Sequence, residues 1–360
     1  MINVTKSFLP DLEEYVKYLE GIWERGHLTN HGPLVLELES QIRQFLGVKH
    51  FFFVNNGTIA LQIAIKAAGL SGDVITTPFS YVATTSCLVW ENCKPVFADI
   101  DPLSLTVTAQ TIEKVITPQT TGILITHVYG NPCPVEEIEA LAKRKGLKVI
   151  YDAAHAFGVE YNNQSVLNYG DISTLSFHAT KLFHTIEGGG IITNDDELAH
   201  KISYMRNFGH NGPEAFFGVG VNGKSSEFQA AMGLCLMPKI NQIIESRKSL
   251  SDLYTSSLAG LPIQHLKIQA GTTKYNYAYY PIVFQTETDL LKVVKALNEK
   301  QIIPRRYFYP SLNTLNYVTN NLVDDYASEI SKRVLCLPLY PDLASEHILT
   351  ISDCIRSQIC

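Results

Sequence analysis

Short runs rich in β-branched and aromatic residues alternate with helical patterns through the first two thirds of the 360-residue chain. Such an alternation predicts an α/β fold with a mostly parallel sheet and helices on both faces. Apolar residues at three- and four-residue spacings predict helices that begin near Thr58 and Val135. The predicted strands are His50 to Val54, Val74 to Thr77, Pro95 to Ile100, Gly122 to Val128, Lys148 to Tyr151, Ile172 to Phe177 and Gly190 to Thr193.

The pattern changes near Pro238. Beyond it the sequence predicts a helix through Arg247 to Leu258, a strand from Tyr279 to Phe284 and a helix from Glu287 to Lys300. Because 360 residues exceed the usual length of one domain, two domains are expected. We predict a large domain over residues 1–238 and a smaller α+β domain over residues 239–360.

Composition excludes several classes of protein. A formal net charge of −6 argues against a nucleic-acid partner, because phosphate backbones are bound by clustered basic residues. Charge, Gly or Pro interrupts every apolar run, so neither a membrane span nor a secretory signal is expected. The seven cysteines form no Cys-x-x-Cys pair and the histidines have no ligand spacing, so no metal site is expected. A reducing cytoplasm fits best.

The segment from Ser176 to Gly190 is the most informative. It places Lys181 just after a predicted buried strand, among Ser, Thr and Gly residues. A lysine amine in such a place can form an imine with a carbonyl cofactor. Taken alone, Lys181 would be interpreted as an ordinary surface lysine, and other segments of the chain decide between the two interpretations.

Asp152 ends another predicted strand of the same sheet, and His155 follows it. Ligands of open α/β sheets bind beyond the carboxyl ends of strands, so Asp152 and the Lys181 segment are expected to face one crevice. A carboxylate there would keep the ring nitrogen of pyridoxal phosphate (PLP) protonated. The alternatives are that Asp152 caps the next helix and that His155 is a satisfied, half-buried imidazole.

Two further segments suit the same cofactor. Asn56-Gly57-Thr58 joins a predicted strand to a helix, and free amides at a helix N-terminus bind anions such as a phosphate. The segment from Pro78 to Thr84 brings aromatic rings after the next strand, where one ring could stack on a planar heterocycle. Helix capping and core packing, respectively, are the ordinary explanations of these two patterns.

Together these segments resemble the DegT/DnrJ/EryC1/StrS family of nucleotide-sugar aminotransferases, from Gly32-Pro33 to Tyr309-Pro310. The family pattern Ser-Phe-His-x-Thr-Lys, followed by Glu-Gly-Gly, corresponds to residues 176–181 and 187–189. The resemblance implies the type I PLP-dependent transferase fold, with a seven-stranded, mostly parallel sheet. It also implies that Lys181 carries PLP as a Schiff base and that Lys181 and Asp152 are the catalytic residues.

The resemblance assigns further contacts. Those with the cofactor would come from Gly57, Thr58 and Ser176 to the phosphate, Asp152 to the ring nitrogen, and Tyr81 and His155 to the ring. Asn222 would reach the phosphate of a neighbouring subunit, which implies a homodimer with shared active sites. The chain departs from the family pattern at His155, where many members have Gln, and at Asn313, where members have His.

By the same resemblance, the expected reaction moves an amino group from L-glutamate to a dTDP-4-keto-6-deoxyhexose. The product would be a dTDP-4-amino-4,6-dideoxyhexose for a bacterial surface polysaccharide, and a 3-keto nucleotide sugar is the alternative acceptor. The segment from Pro304 to Asn313 either overhangs the site, with Tyr309 and Asn313 touching the sugar, or closes the small domain's core. Glu187 either touches the acceptor or orders the glycine turn after Lys181.

A rival interpretation comes from Gly218 to Ser225, which matches both a P-loop and a Gly-x-Gly-x-x-Gly pattern. Both motifs need a hydrophobic strand directly before the glycines, and here a polar segment with a proline precedes them. The simpler interpretation is a flexible crossing loop at a subunit boundary. A nucleotide-binding protein therefore remains the minor alternative.

Overall fold

The computed structural model describes residues 1–318 and 325–359. Its strands are β1 (Ile2–Asn3), β2 (His50–Val54), β3 (Gly72–Thr76), β4 (Cys93–Phe97), β5 (Thr120–Thr126), β6 (Lys148–Asp152), β7 (Glu160–Tyr161), β8 (Gln164–Ser165), β9 (Ile172–Ser176), β10 (Gly189–Thr193), β11 (Ile263–His265), β12 (Thr272–Lys274), β13 (Tyr280–Phe284), β14 (Ile302–Ile303) and β15 (Val334–Leu337).

The α-helices of the same residues separate these strands along the chain. They are α1 (Leu12–Arg25), α2 (Pro33–Leu46), α3 (Gly57–Ala67), α4 (Val82–Trp90), α5 (Ala109–Glu113), α6 (Val135–Lys145), α7 (Asp196–Met205), α8 (Glu227–Leu236), α9 (Ile240–Ser257), α10 (Glu287–Glu299), α11 (Tyr326–Arg333) and α12 (Ser345–Ile359).

A seven-stranded sheet of order β2-β10-β9-β6-β5-β3-β4 forms the centre of the fold. Only β10 runs antiparallel to its neighbours in this sheet. All seven runs that the sequence predicts as strands lie in it, so the predicted α/β fold with a mostly parallel sheet is confirmed. Its strands are nearly continuous apolar runs because helices cover both faces.

The pairing of β6 with β9 positions the site. Asp152, the last residue of β6, is in register with Thr174 of β9, and the strands run parallel. Both strands therefore end at the same edge of the sheet, where β9 finishes at Ser176. Antiparallel β10 begins at that edge with Gly189 opposite Ser176. Residues from the ends of three strands thus meet in one place.

The later part of the chain forms a second hydrophobic cluster. Buried side chains of α9, α10, α12, β13 and β15 pack together there, with Tyr254, Ile282 and Leu335 among them. The larger core also extends into this part, because Tyr307, Phe308 and Cys336 belong to it. The division at residue 238 stays a prediction.

Helix α9 begins earlier than the sequence predicts, at Ile240 instead of Arg247. A short 3₁₀ turn over Met237–Lys239 leads directly into it. Pro238 does not interrupt this start, because a proline is well accommodated at a helix N-terminus, where its missing N–H has no helical partner. Within the part of the chain that the structure describes, no helix combines the length and hydropathy needed to cross a membrane.

Candidate active site

A cavity of about 260 Å³ lies at the carboxyl ends of β6 and β9. It brings together side chains from segments that are far apart in the sequence. Eight residues that the sequence analysis singles out line it: Gly57, Thr58, Tyr81, Asp152, His155, Ser176, Lys181 and Glu187.

The start of α3 and the end of β9 form one corner of the cavity lining, and a helix N-terminus of this kind can bind an anion. The Asn56 side chain caps α3 by accepting the amide of Ile59 at 2.8 Å, and the first amides of a helix have no partner within the helix. A β-carbon at Gly57 would lie 3.0 Å from Cβ of Ser176, and one at Gly189 would lie 2.6 Å from the Asn56 carbonyl carbon. Glycine at these positions lets the three segments approach closely.

Asp152 also lines the cavity and is buried, and the described residues give its carboxylate neutral hydrogen-bond donors. Thr84 Oγ1 donates to Oδ2 at 2.7 Å, and the amide of Ala154 donates to Oδ1 at 3.1 Å. Burial raises the pKa of Asp152, whereas these two hydrogen bonds and the charge of Lys181 act to lower it. No side chain of residues 1–318 or 325–359 forms an ion pair with this carboxylate. A cation in the cavity would complete it.

His155 is a buried, neutral imidazole. Burial lowers its pKa well below the usual range, and the charges of Lys181 and Arg305 act in the same direction. Its Nδ1 accepts the amide of Tyr129 at 3.2 Å, so the proton lies on Nε2, which is 3.4 Å from the Tyr307 hydroxyl. The ring therefore has the contacts of a satisfied core histidine and still lines the cavity.

Lys181 follows β9 in a turn held by a 2.8 Å hydrogen bond from its amide to the carbonyl of His178. It lines the cavity together with Asp152. Within the described part of the chain, no hydrogen bond or ion pair occupies its Nζ. The lysine and the carboxylate that the sequence predicts to face one crevice thus line the same cavity.

Tyr81 and Glu187 lie at exposed positions of the lining. Tyr81 precedes α4, and its ring centroid is 6.3 Å from that of Tyr307. The Glu187 carboxylate is 3.6 Å from Nε2 of His178, while its backbone carbonyl accepts a 2.8 Å hydrogen bond from Gln229. Glu187 therefore takes part in the glycine turn and also faces the cavity.

Three predicted site residues do not line this cavity in the single chain. Asn222 lies in the segment between α7 and α8, where its Oδ1 accepts Nζ of Lys224 at 2.9 Å. Tyr309 is exposed, and the guanidinium carbon of Arg306 lies 3.6 Å from its ring centroid. Asn313 is buried and donates to Asp325 Oδ2 at 2.6 Å. Their predicted roles stay predictions.

The Gly218–Ser225 segment lacks the two elements that a P-loop needs. It lies in irregular structure after α7 rather than directly after a strand. The next helix, α8, starts only at Glu227 and is capped by Ser226. In P-loops the glycines join a strand to a helix that begins at the motif's Lys and Ser or Thr. The fold thus favours the crossing-loop interpretation of this segment.

Sequence reasoning did not assign roles to several residues that complete the site. Thr84 binds Asp152, while Arg305 and Tyr307 line the cavity from the distant segment after β14. Thr84 and Arg305 belong to segments that the sequence analysis singles out, but for other residues of those segments. The sequence signal that could have identified Thr84 and Arg305 as site residues was the polarity of their side chains.

The cavity fits the charges of PLP. The cofactor has an aldehyde, a protonated pyridine nitrogen and a phosphate, which need an amine, a carboxylate and an anion site. Lys181, Asp152 and the corner formed by α3 and Ser176 supply these three groups in one cavity. The buried carboxylate without a cationic partner is the most specific feature, because the ring nitrogen would supply that partner.

Comparison with known proteins gives concordant results. The chain is 42% identical over 360 residues to a dTDP-4-amino-4,6-dideoxy-D-glucose transaminase of Shigella dysenteriae, with 99% of this chain and 98% of the relative covered. The solved structure of DesI in the presence of its TDP-sugar product superimposes with a TM-score of 0.92 at 30% identity, covering 99% of this chain and 92% of DesI. NtdA from Bacillus subtilis, solved with bound cofactor PMP, gives a TM-score of 0.87 at 26% identity, covering 96% and 82%.

A family model matches residues 11–356, which is nearly the whole chain. The match includes every segment that lines the cavity, from Asn56 to Phe308. The chain therefore belongs to the DegT/DnrJ/EryC1/StrS aminotransferase family and is a pyridoxal-phosphate-dependent aminotransferase.

Proposed function

We propose that this aminotransferase moves the amino group of L-glutamate to a dTDP-4-keto-6-deoxyhexose and produces a dTDP-4-amino-4,6-dideoxyhexose. The observation that carries the chemistry is the cavity that is lined by both Lys181 and the buried carboxylate of Asp152, which has no ion-pair partner among the described residues. The choice of sugar is supported by the full-length similarity to the Shigella transaminase. We further propose that the product serves a surface polysaccharide such as O-antigen, and that the enzyme works in the cytoplasm.

Each residue of the cavity has its own proposed role in the reaction. When bound, PLP supplies an electron sink that weakens the bonds at the carbon bearing the amino group. Lys181 would hold the cofactor through Nζ, and its amine, once displaced by the donor, would move the proton at the donor's α-carbon. Asp152 would keep a proton on the ring nitrogen. Ser176 and the amides of Gly57 and Thr58 would bind the phosphate.

The neutral His155 and the ring of Tyr81 would lie against the cofactor ring from the positions they occupy in the lining. Glu187 is the proposed contact with the acceptor sugar in the cavity. Tyr309 and Asn313 remain proposed sugar contacts that would need the bound substrate or a second subunit to bring them to the site. In the second half of the reaction, the keto sugar receives the amino group. Lys181 would then move a proton in the reverse direction, onto the sugar carbon that takes up the amino group.

A panel of substrates tests the proposal. Purified enzyme with PLP and L-glutamate is incubated with 4-keto and with 3-keto nucleotide sugars that carry dTDP, GDP or UDP, and the products are identified by NMR. We expect an amino group at C4 of the dTDP-4-keto-6-deoxyhexose at the highest kcat/KM. Amination of a 3-keto sugar instead would establish the alternative acceptor, and no transfer to any sugar would refute the proposal.

We also propose that the functional unit is a homodimer with shared active sites. The segment between α7 and α8 exposes four large apolar side chains, Phe208, Phe216, Phe217 and Val219, and such exposure in one segment supports an interface there. Asn222 follows them in the same segment, outside its own chain's cavity. Packing of a second copy against this face would bury the aromatic rings. It would also place Asn222 near the corner of the partner's cavity that α3 and Ser176 form.

Hybrid dimers test this arrangement. Lys181→Ala and Asn222→Ala are prepared as separate, impaired proteins, mixed, and allowed to exchange subunits. If Asn222 serves the neighbouring site, one site of each hybrid has both side chains intact, so activity returns on mixing. If each chain uses its own Asn222, no hybrid site is intact and the mixture stays inactive. A monomer in sedimentation velocity would also contradict the proposal.

A further inference from the structure

Two strongly basic side chains line the cavity: Lys181 and Arg305. Arg305 follows β14, and its backbone exchanges two hydrogen bonds with Cys336 of β15, at 3.1 and 2.8 Å. Its guanidinium carbon lies 4.5 Å from the ring centroid of Tyr307. The backbone is thus anchored to a sheet, and stacking on the ring limits the positions of the guanidinium.

Within the part of the chain that the structure describes, the Arg305 guanidinium has no counter-ion. Among residues 1–318 and 325–359 it forms no ion pair and no side-chain hydrogen bond, whereas Nη2 of the adjacent Arg306 has two partners. Arg306 donates to Glu287 at 2.6 Å and to the Lys332 carbonyl at 2.9 Å. The chain therefore uses one of two neighbouring arginines to stabilise its own structure, while the other lines the cavity with its N–H donors unpaired among the described residues.

Arg305 acts on the same part of the cavity as Lys181. The charges of both residues lower the pKa of His155. The ring on which Arg305 stacks belongs to Tyr307, whose hydroxyl is 3.4 Å from Nε2 of that histidine. An anion held by Arg305 would thus lie in the cavity that Lys181 also lines.

The two carboxylates of the lining do not satisfy this cation. Asp152 is held by Thr84 and Ala154, and Glu187 lies 3.6 Å from His178. Arg305 therefore keeps its charge available for a ligand. A guanidinium binds a planar carboxylate through two parallel hydrogen bonds, which fix the orientation of the ligand as well as its position.

We infer that Arg305 binds the α-carboxylate of the amino donor. This inference rests on the proposed aminotransferase function and deepens it. The α-carboxylate is attached directly to the carbon at which Lys181 moves a proton, so its cation must lie in the cavity of Lys181. The diphosphate of a nucleotide sugar is separated from the reacting C4 by the sugar ring, and its cation would lie farther out. Holding the carboxylate also orients the C–H bond towards the lysine amine.

The reaction with the amino donor can be measured apart from the reaction with the nucleotide sugar, so a role of Arg305 in one of them can be distinguished from a role in the other. Wild-type enzyme, Arg305→Gln, Arg305→Lys and Arg306→Gln are loaded with PLP and mixed with L-glutamate alone, and the change in cofactor absorbance is followed in a stopped-flow instrument. We expect Arg305→Gln to raise the apparent dissociation constant for glutamate by roughly 10- to 100-fold, the effect of losing a charge-assisted hydrogen bond. Arg305→Lys should recover part of the loss. Arg306→Gln should bind glutamate like wild type, because its partners lie outside the cavity.

Two further measurements serve as controls for this comparison of variants. Titration calorimetry of the PLP-loaded proteins with 2-oxoglutarate, which has the same carboxylates and no amine, should show the same weakening in Arg305→Gln without any turnover. The reaction of the pyridoxamine form with the keto nucleotide sugar should keep its wild-type KM in Arg305→Gln.

Glutamate binding by Arg305→Gln equal to wild type, or a defect confined to the nucleotide-sugar half, would overturn the assignment of Arg305 while leaving the proposed function intact. A wild-type enzyme whose cofactor reacts with no amino acid would overturn both.

Discussion

The hydroxyl of Thr84 donates a 2.7 Å hydrogen bond to Oδ2 of Asp152. Thr84 also lies 2.8 Å from the Ser80 hydroxyl, which in turn lies 2.8 Å from that of Thr126. All four side chains are buried. A chain of hydroxyls thus fixes the carboxylate that lines the cavity, and the hydrogen bond from Thr84 favours the ionised form that a cationic ring nitrogen requires.

Replacing Thr84 by Val should lower kcat roughly tenfold, the usual effect of losing one hydrogen bond to a buried charged group. The hydrogen bond from Thr84 lowers the pKa of Asp152, so its loss raises that pKa. As the pH falls, the Asp152 carboxylate of the variant is therefore protonated at a higher pH than in wild type. The acidic limb of the kcat profile should move to higher pH. Steady-state kinetics from pH 5 to pH 8 measure both effects.

Thr85→Val is the matched control for this variant. Thr85 is also fully buried in α4, but its hydroxyl has no hydrogen-bond partner among the described residues. This substitution should leave the pH profile unchanged. An equal shift in both variants would show that the effect comes from repacking of α4 and not from Asp152.

Ser176→Ala should weaken PLP binding by about tenfold, because a hydrogen bond to the phosphate is lost. The affinity of the apoenzyme for PLP, measured by equilibrium dialysis, checks this directly. Ser173→Ala is the control, since Ser173 lies on the same strand with a buried hydroxyl that is 0% exposed. Equal PLP affinities for Ser176→Ala and wild type would remove Ser176 from the phosphate corner.

Stability should fall below pH 6.5, partly because of His127. Burial lowers the pKa of this histidine from 6.5 to about 3. Between these two values the unfolded chain binds a proton that the native protein does not, so acid favours unfolding, and above pH 6.5 the residue has no such effect. Wild type should lose about 2 kcal/mol more than His127→Gln between pH 7 and pH 5.

Urea unfolding at a series of pH values measures this slope. The exposed His347 provides the control, and His347→Gln should keep the wild-type dependence on pH. Identical slopes for wild type and His127→Gln would contradict the burial of a neutral imidazole at this position.

Glu227 should stabilise the fold through the start of α2. Its carboxylate is fully buried and accepts the amides of Leu34 and Val35 at 3.1 and 3.0 Å. Glu227→Ala leaves both amides without an acceptor and should lower the free energy of unfolding by about 3 kcal/mol. The exposed Glu37→Ala should change it by less than about 0.5 kcal/mol. Equal denaturation midpoints for the two variants would contradict the role of Glu227.

The sequence was sufficient to predict the seven strands of the central sheet, because parallel strands covered on both faces are short apolar runs. It was also sufficient to place Lys181 and Asp152 in one cavity, because both follow strands that end at the same edge of the sheet. These predictions depend on local patterns and one topological rule.

Contacts that depend on tertiary structure were not predictable in this way. Arg305 and Arg306 are adjacent in sequence, and only the packing of the segment after β14 directs one to the cavity and the other to Glu287. Asn313 follows a family-like motif, yet the fold turns its amide to Asp325. The start of α9 was missed because Pro238 resembles a helix boundary, although the turn around it leads straight into the helix.

The sharpest test of Lys181 as the attachment point of the cofactor is borohydride reduction of the PLP-loaded enzyme, followed by mass spectrometry of its peptides. Reduction makes the lysine-bound cofactor permanent, so the added mass should be found on the peptide that contains Lys181. Lys181→Ala should show neither the added mass nor the visible absorption band of the bound cofactor. Added mass on a different lysine, or an unchanged band in Lys181→Ala, would contradict the assignment.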